Sequence, residues 1–364
     1  MEQIVSSPSV PHTAAMKLLT TSSAEKNSIL KDMNEAERQV LRCTHTPHGP
    51  VLQQFTVLKT DGQSLTVLYV KPAALLWIAV KQSPAFGEFL RQHLPSNTSA
   101  VCVYMDDVRP GNAHRPDNGR TYLAWYYSFL DLPEWWRTSE LGWFDLAFTM
   151  WEDCKDIQGG VSALTDALLA AVDFPIQVQL PLEEVPQPLW EFYFAMVMAD
   201  AKAIQQMLGI KPSSGYKPCA TMANLVGRVS VENVAGPYLQ HYSCGGTALW
   251  DPWTSERWHD AARLVADEWE VSAERGERME TMLGIYHNGG RGLPYSARAP
   301  LYRLPETVQW DAMHCIWASG GIGQYQVNQF VREVTHRGLP LAQVEARVNT
   351  LTYIPTINKL TNNT

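Results

Sequence analysis

Asp106 and Asp200 are the residues of this chain best placed to hold a metal ion. Each ends an apolar run rich in β-branched and aromatic side chains, SAVCVYMDD (Ser99 to Asp107) and LWEFYFAMVMAD (Leu189 to Asp200). A strand fixes the Cβ of an Asp at its end while the oxygens reach past the sheet. Two-metal phosphoryl transfer needs such carboxylates from different strands, holding divalent cations about 4 Å apart around the reacting phosphate. Mg²⁺ or Mn²⁺ is the ion implied, since hard cations favour oxygen ligands. The same positions have a plainer use: strand-end Asp residues form turns and cap helices. The pair alone therefore does not establish a site.

The elements around these residues follow from periodicity. VLQQFTVLKTDGQSLTVLYV (Val51 to Val70) alternates on both sides of Asp61-Gly62, a hairpin signal. Ala73 to Leu94 reads as one or two helices, broken near Pro84. Strands are expected over Ser99 to Asp107, Thr121 to Leu132 and Leu141 to Met150. Gly160 to Val172 has helical spacing of Val161, Leu164, Leu168, Leu169 and Val172. Three strands, a helix, then a buried strand ending in Asp is the order of a ribonuclease H-like core. The expected fold class is α/β (α+β): a mixed sheet flanked by helices, with a mainly helical insertion and an N-terminal β-hairpin/helix region. The divisions expected are a flexible arm (1–30), the hairpin and helical region (31–98), the core (99–205), the insertion (206–305) and C-terminal helices completing the core (306–364). Finer expectations are a short polar helix over Lys31 to Arg42 and another over Ala201 to Leu208. One charged amphipathic helix is expected over Trp258 to Met282, then a loop from Gly289 to Pro305. Trp310 to Arg337 and Leu341 to Val348 read as helices.

Three segments resemble a transposase family related to the CACTA (En/Spm-type) elements, whose members are DDE enzymes. VYMDDVRPGNAHRPDNGRTYLAWYYSFLDL is similar to its first-Asp region, where a strand ends in an acidic pair before a Pro-Gly-Asn turn. MADAKAIQQMLGIKPSSGYKPCATMANLV resembles its second-Asp block, and QWDAMHCIWASGGIGQYQVNQF the downstream D-x-M-H block. The resemblance implies Asp106 as first metal ligand, Asp107 as an alternative or supporting acid, and Asp200 as second ligand. Asp311 and His314 would support the site by hydrogen bonds, although Asp311 also suits a helix cap. The third acid of the family is a Glu on a later helix. Glu333 and Glu345 are the remaining choices, and Glu333 is the better, on a helix where a solvated face is the ordinary reading. A truncated or degenerate copy is one expectation that follows.

The family's second-Asp block carries a Cys-x-x-Cys pair, whereas here Met222 follows Cys219 at that spacing. Four Cys or His ligands are needed for tetrahedral zinc, so zinc is not expected; His241, Cys244 and Cys315 are the residues that would have to complete it. Six Cys without a CxxC pair suit a reducing compartment. With 45% hydrophobic and 18% charged residues the chain can build a substantial core. No apolar run reaches 18 residues and the first residues lack a signal-peptide pattern, so the expected location is nuclear or cytoplasmic, not secreted and not membrane. DNA is the partner the resemblance implies, with a homo-oligomer as a further possibility. The formal charge of −8 and the lack of a Lys/Arg run oppose tight DNA binding. Arg115, Arg120 and Lys217 are isolated phosphate-contact candidates. Ser319 to Gly323 lacks the Lys-Ser/Thr of a phosphate loop. Three functions remain open: a transposase-derived nuclease, an inactive remnant acting as an interaction protein, and an unrelated α/β binding module.

Overall fold

The computed structural model describes residues 45–108, 121–182, 188–211, 215–217, 219–226, 239–240, 251–311 and 333. The expected N-terminal arm and Lys31–Arg42 helix lie outside these residues. So do the expected C-terminal helices, save Trp310, Asp311 and Glu333. The chain divides into two units, 1–309 and 310–364. Apart from Trp310, which ends the last strand, every element below belongs to the first unit.

Eight strands make one mixed sheet: β1 (Leu52–Leu58), β2 (Ser64–Val70), β3 (Thr98–Val108), β4 (Tyr122–Phe129), β5 (Phe144–Met150), β6 (Ile176–Gln179), β7 (Leu189–Ala199) and β8 (Val308–Trp310). Their spatial order is β8-β7-β3-β4-β5-β2-β1, and β6 also pairs with β7. β3, β4 and β5 are antiparallel neighbours, while β7 lies parallel to β3. Parallel neighbours need a crossover connection, and here the chain from β5 to β7 supplies it with a helix.

The hairpin expected around Asp61-Gly62 is β1–β2. Leu58 pairs with Ser64, Gly62 takes φ +83°, and Asp61 Oδ1 accepts the Gln63 N–H at 2.9 Å. A positive φ is the reason for glycine there. The stretch before β3 forms two helices, α1 (Pro72–Gln82) and α2 (Pro84–His93). Ser83 separates them: its side chain accepts from the Phe86 N–H, and Pro84 occupies the first turn, where no N–H is needed.

α3 (Gly160–Val172) has the bounds its apolar spacing predicts, with Leu164 and Leu168 fully buried. It lies on the sheet face that carries Met105, Trp125, Ala147 and Tyr69, which are cross-strand partners in one row or share its side. The Tyr69 hydroxyl reaches the Ala171 carbonyl at the end of α3, 3.0 Å away. Leu168→Ala is expected to lower stability by about 3 kcal/mol, the usual cost of such a cavity. The midpoint of urea unfolding measures this, and a loss below about 1 kcal/mol would contradict the packing described.

α4 (Ala201–Met207) follows β7 directly. In the described part of the expected insertion, the single helix expected over Trp258 to Met282 is two: α5 (Ser255–Val271) and α6 (Ala273–Leu283). Ser272 is fully extended between them, and its side chain accepts from the Arg275 N–H, capping α6. The two helices then fold against each other. Gly276 is where they meet, since a Cβ there would lie 2.4 Å from the Trp269 ring. The loop expected over Gly289 to Pro305 contains a 3₁₀ turn (Leu293–Tyr295) and a short helix (Ala299–Tyr302).

Candidate active site

Asp106 and Asp200 each follow one member of the last residue pair of the parallel β3–β7 ladder. Met105 pairs with Ala199 across the parallel β3–β7 ladder, so the next residue of each strand is one of the two carboxylates. The ladder ends at that pair: Asp106 is the next residue of β3, and Asp200 lies just outside β7 as the cap of the helix that follows. A β-bulge creates this match. Val101 pairs with Phe194 but Cys102 with Met196, so Ala195 is the extra residue. Without it, Asp106 would sit beside Ala199. Bulges re-aim side chains in this way next to functional sites.

Each carboxylate already has partners. Asp106 Oδ1 accepts the Asp107 N–H at 2.8 Å, and Oδ2 accepts the Tyr104 hydroxyl at 3.3 Å. Asp200 caps α4, with Oδ1 accepting the Ala203 N–H at 2.6 Å. The plain role of a strand-end Asp is therefore filled at Asp200, but only one oxygen is used for it. A carboxylate oxygen offers two lone pairs, so the pair retains oxygen ligands of the kind Mg²⁺ and Mn²⁺ prefer. Asp107 alternates to the other side of β3 and is exposed.

The sheet face around the pair is aromatic. Tyr104 lies against Tyr126 and Trp143, with ring centroids 6.4 and 5.8 Å away, and Tyr126 meets Phe148 at 5.6 Å. Asp145, the cross-strand partner of Tyr126, adds a third carboxylate to this face. Burial first, then the charges of Asp145 and Asp106, push the Tyr126 hydroxyl above its ordinary pKa, so it stays protonated. Sequence reasoning missed Asp145. Its only signal is a polar residue at an alternate position of a strand, which reads as solvated surface. Cys102, on the same strand as Asp106, is fully buried and its thiol is pushed up to about 12 by desolvation. It is a packing residue rather than a nucleophile.

The remaining candidates fall as follows. Glu333 is helical and exposed, and Asp311 is partly exposed; both belong to the second unit. His314, Arg115, Arg120 and the Ser319–Gly323 run lie outside the described residues. Among the described residues no group of three or more His, Cys, Asp or Glu side chains is arranged to hold a metal ion. Lys217 packs over the Trp253 ring at 5.4 Å, and its pKa is lowered by burial and then by the Arg257 charge. Cys219 sits in a turn where its sulfur accepts the Met222 N–H at 3.4 Å and its carbonyl accepts the Trp253 indole N–H at 3.2 Å. His241, Cys244 and Cys315 are outside the described residues. Lys202, two residues beyond Asp200, is an exposed cation over the Trp151 ring at 5.5 Å. No described helix is long and apolar enough to cross a membrane. No protein-family model matches the chain, and no curated protein matches it either.

Proposed function

We propose that this chain is a transposase-derived protein with a ribonuclease H-like core, in which Asp106 and Asp200 bind Mg²⁺ or Mn²⁺ and act on DNA phosphodiesters. The position of both carboxylates directly after the Met105–Ala199 pair that ends a parallel ladder carries this reading. It is supported by strand order: three antiparallel strands with a fourth strand parallel to the first is the arrangement such a core has. A divalent ion bound there would polarise a phosphoryl oxygen and make a bound water or 3′-hydroxyl a better nucleophile.

The chain's own residues have separable parts in this. Asp106 is oriented by Tyr104 and by the Asp107 amide, and Asp200 by its helix cap. Both are thereby held ready before an ion arrives. Lys202 is an exposed cation near enough in sequence to Asp200 to meet a phosphate. Glu333 is retained as the third acid on the strength of the resemblance alone, and Asp145 is the acid that shares the sheet face.

One observation favours the second reading, a catalytically inactive remnant acting as an interaction protein. The chain is acidic overall, with a formal charge of −8. Supercoiled DNA incubated with the full chain and Mn²⁺ or Mg²⁺ separates the two. Nicking that disappears in Asp106→Asn supports the nuclease. Mn²⁺ binding that Asp106→Asn weakens, without nicking, supports the remnant. Nicking unchanged in that variant, or no metal binding at all, refutes the site.

A further inference from the structure

A cavity of about 470 Å³ has neither Asp106 nor Asp200 in its lining. It is walled by His48, Lys71, Asp173 and Arg298, with the amides of Gln53 and Gln177 at its margin. The topology gathers them from distant places. His48 is in the turn between the short strands His45–Thr46 and Gly49–Pro50. Lys71 precedes α1, Asp173 ends α3, and Arg298 precedes the Ala299–Tyr302 helix.

The charges in this cavity are not matched with each other. Among the described residues Lys71 and Asp173 form no ion pair. The Arg298 guanidinium meets only neutral groups, the Ala170 carbonyl at 3.5 Å and the Tyr302 hydroxyl. The His48 ring is bonded to the Gln179 backbone, and its Nε2 is enclosed by the protein rather than open to the cavity. Lys71 also gives α1 no side-chain cap, and Ala73, in the first turn of that helix, lines the cavity. First-turn N–H groups carry partial positive charge and suit an anion.

Two cations and an uncapped helix start thus line one volume, beside a single carboxylate. In a chain with a net charge of −8 this local excess of positive charge has to be specific to the cavity. The polar walls disfavour an apolar guest. We infer that the cavity binds a small phosphorylated compound bearing hydroxyl groups, of the sugar-phosphate class: Lys71, Arg298 and the first turn of α1 take the phosphoryl oxygens, and Asp173 accepts from a hydroxyl. Asp173 accounts for the preference for a hydroxyl-bearing ligand over bare phosphate, because its carboxylate repels an anion and rewards a donor. The inference stands apart from the nuclease reading and survives its failure.

Calorimetric titration of the full chain with ribose 5-phosphate, inorganic phosphate and a 5′-phosphorylated oligonucleotide tests it. Ribose 5-phosphate is expected to bind more tightly than inorganic phosphate. Lys71→Gln and Arg298→Ala are each expected to weaken it at least tenfold, with circular dichroism and thermal midpoint verifying the fold. Asp173→Asn, which tolerates the left-handed backbone at φ 61°, is expected to bind inorganic phosphate severalfold more tightly and to lose preference for the sugar phosphate. Failure of both small phosphates to bind overturns the inference, as does affinity unchanged in Lys71→Gln. Oligonucleotide binding that falls as steeply in Lys71→Gln overturns the assignment to a small molecule.

Discussion

Asp200→Asn is expected to abolish metal-dependent DNA cleavage while leaving the fold almost as stable as before. The two effects separate because the proposed function gives Asp200 a second job beside its helix cap. As the cap of α4 it needs only an oxygen acceptor, and Oδ1 already bonds the Ala203 N–H. Asn caps about as well as Asp, so the stability change stays within about 0.5 kcal/mol, the scale of the lost charge at a helix N-terminus. As a metal ligand it needs the negative charge. Losing several kcal/mol of charge stabilisation in the transition state corresponds to a rate loss of about a thousandfold or more. Asp200→Ala removes both functions and is expected to cost about 1 kcal/mol as well. Single-turnover nicking with each variant, beside its urea midpoint, measures the split. Cleavage that persists in Asp200→Asn would mean that the residue is a cap and nothing more.

Glu280→Ala is expected to be the most destabilising change in the insertion, at about 3–5 kcal/mol. Glu280 is buried where α6 packs on α5, and it satisfies three donors at once. Its Oε2 pairs with Lys211 Nζ at 2.7 Å, while Oε1 accepts the Trp269 indole N–H at 3.2 Å and the His287 backbone N–H at 2.8 Å. The Lys211 side chain is itself only 14% exposed and lies over the Tyr286 ring. Removing the carboxylate strands a buried ammonium and two buried N–H groups, and each carries a desolvation penalty. Glu280→Gln keeps an acceptor but loses the charge, so its loss is expected to be smaller than that of Glu280→Ala. Chemical denaturation of the three proteins ranks them. Equal stability of the Glu280→Ala and wild-type chains would show that the pair is not buried in solution.

The local elements were legible because each rests on a local pattern. The alternation around Asp61-Gly62, the spacing of Leu164 and Leu168, and the Ser83-Pro84 pair state hairpin, helix and break within a few residues. Ser272 was harder. The charges on both sides continue one helical pattern, and the interruption depends on a single Ser cap and on Gly276 fitting beneath Trp269. The site was legible only in part. Two strand-end Asp residues can be found by inspection, and resemblance suggested that they belong together. Their adjacency depends on the Ala195 bulge and on a pairing between strands far apart in the chain, and neither leaves a mark in periodicity. Asp145 was invisible for the same reason. Nothing local distinguishes a carboxylate facing solvent from one facing Tyr126 across a strand.

The parallel pairing of β3 with β7 also sets an order of events. The antiparallel partners β4 and β5 follow β3 closely in sequence, so their contacts close short loops. β7 returns to β3 only after two further helical segments and β6 have been made. Long closures cost more entropy and pairings of this kind form slowly. Asp106 can thus acquire its Tyr104 partner early, but the second carboxylate arrives only when the middle of the sheet shuts. A chain halted before Leu189 has half a site and no means of completing it. Under the proposed function, metal affinity would then be a late acquisition of folding, and an ion held by both carboxylates would tie down this long-range seam of the sheet.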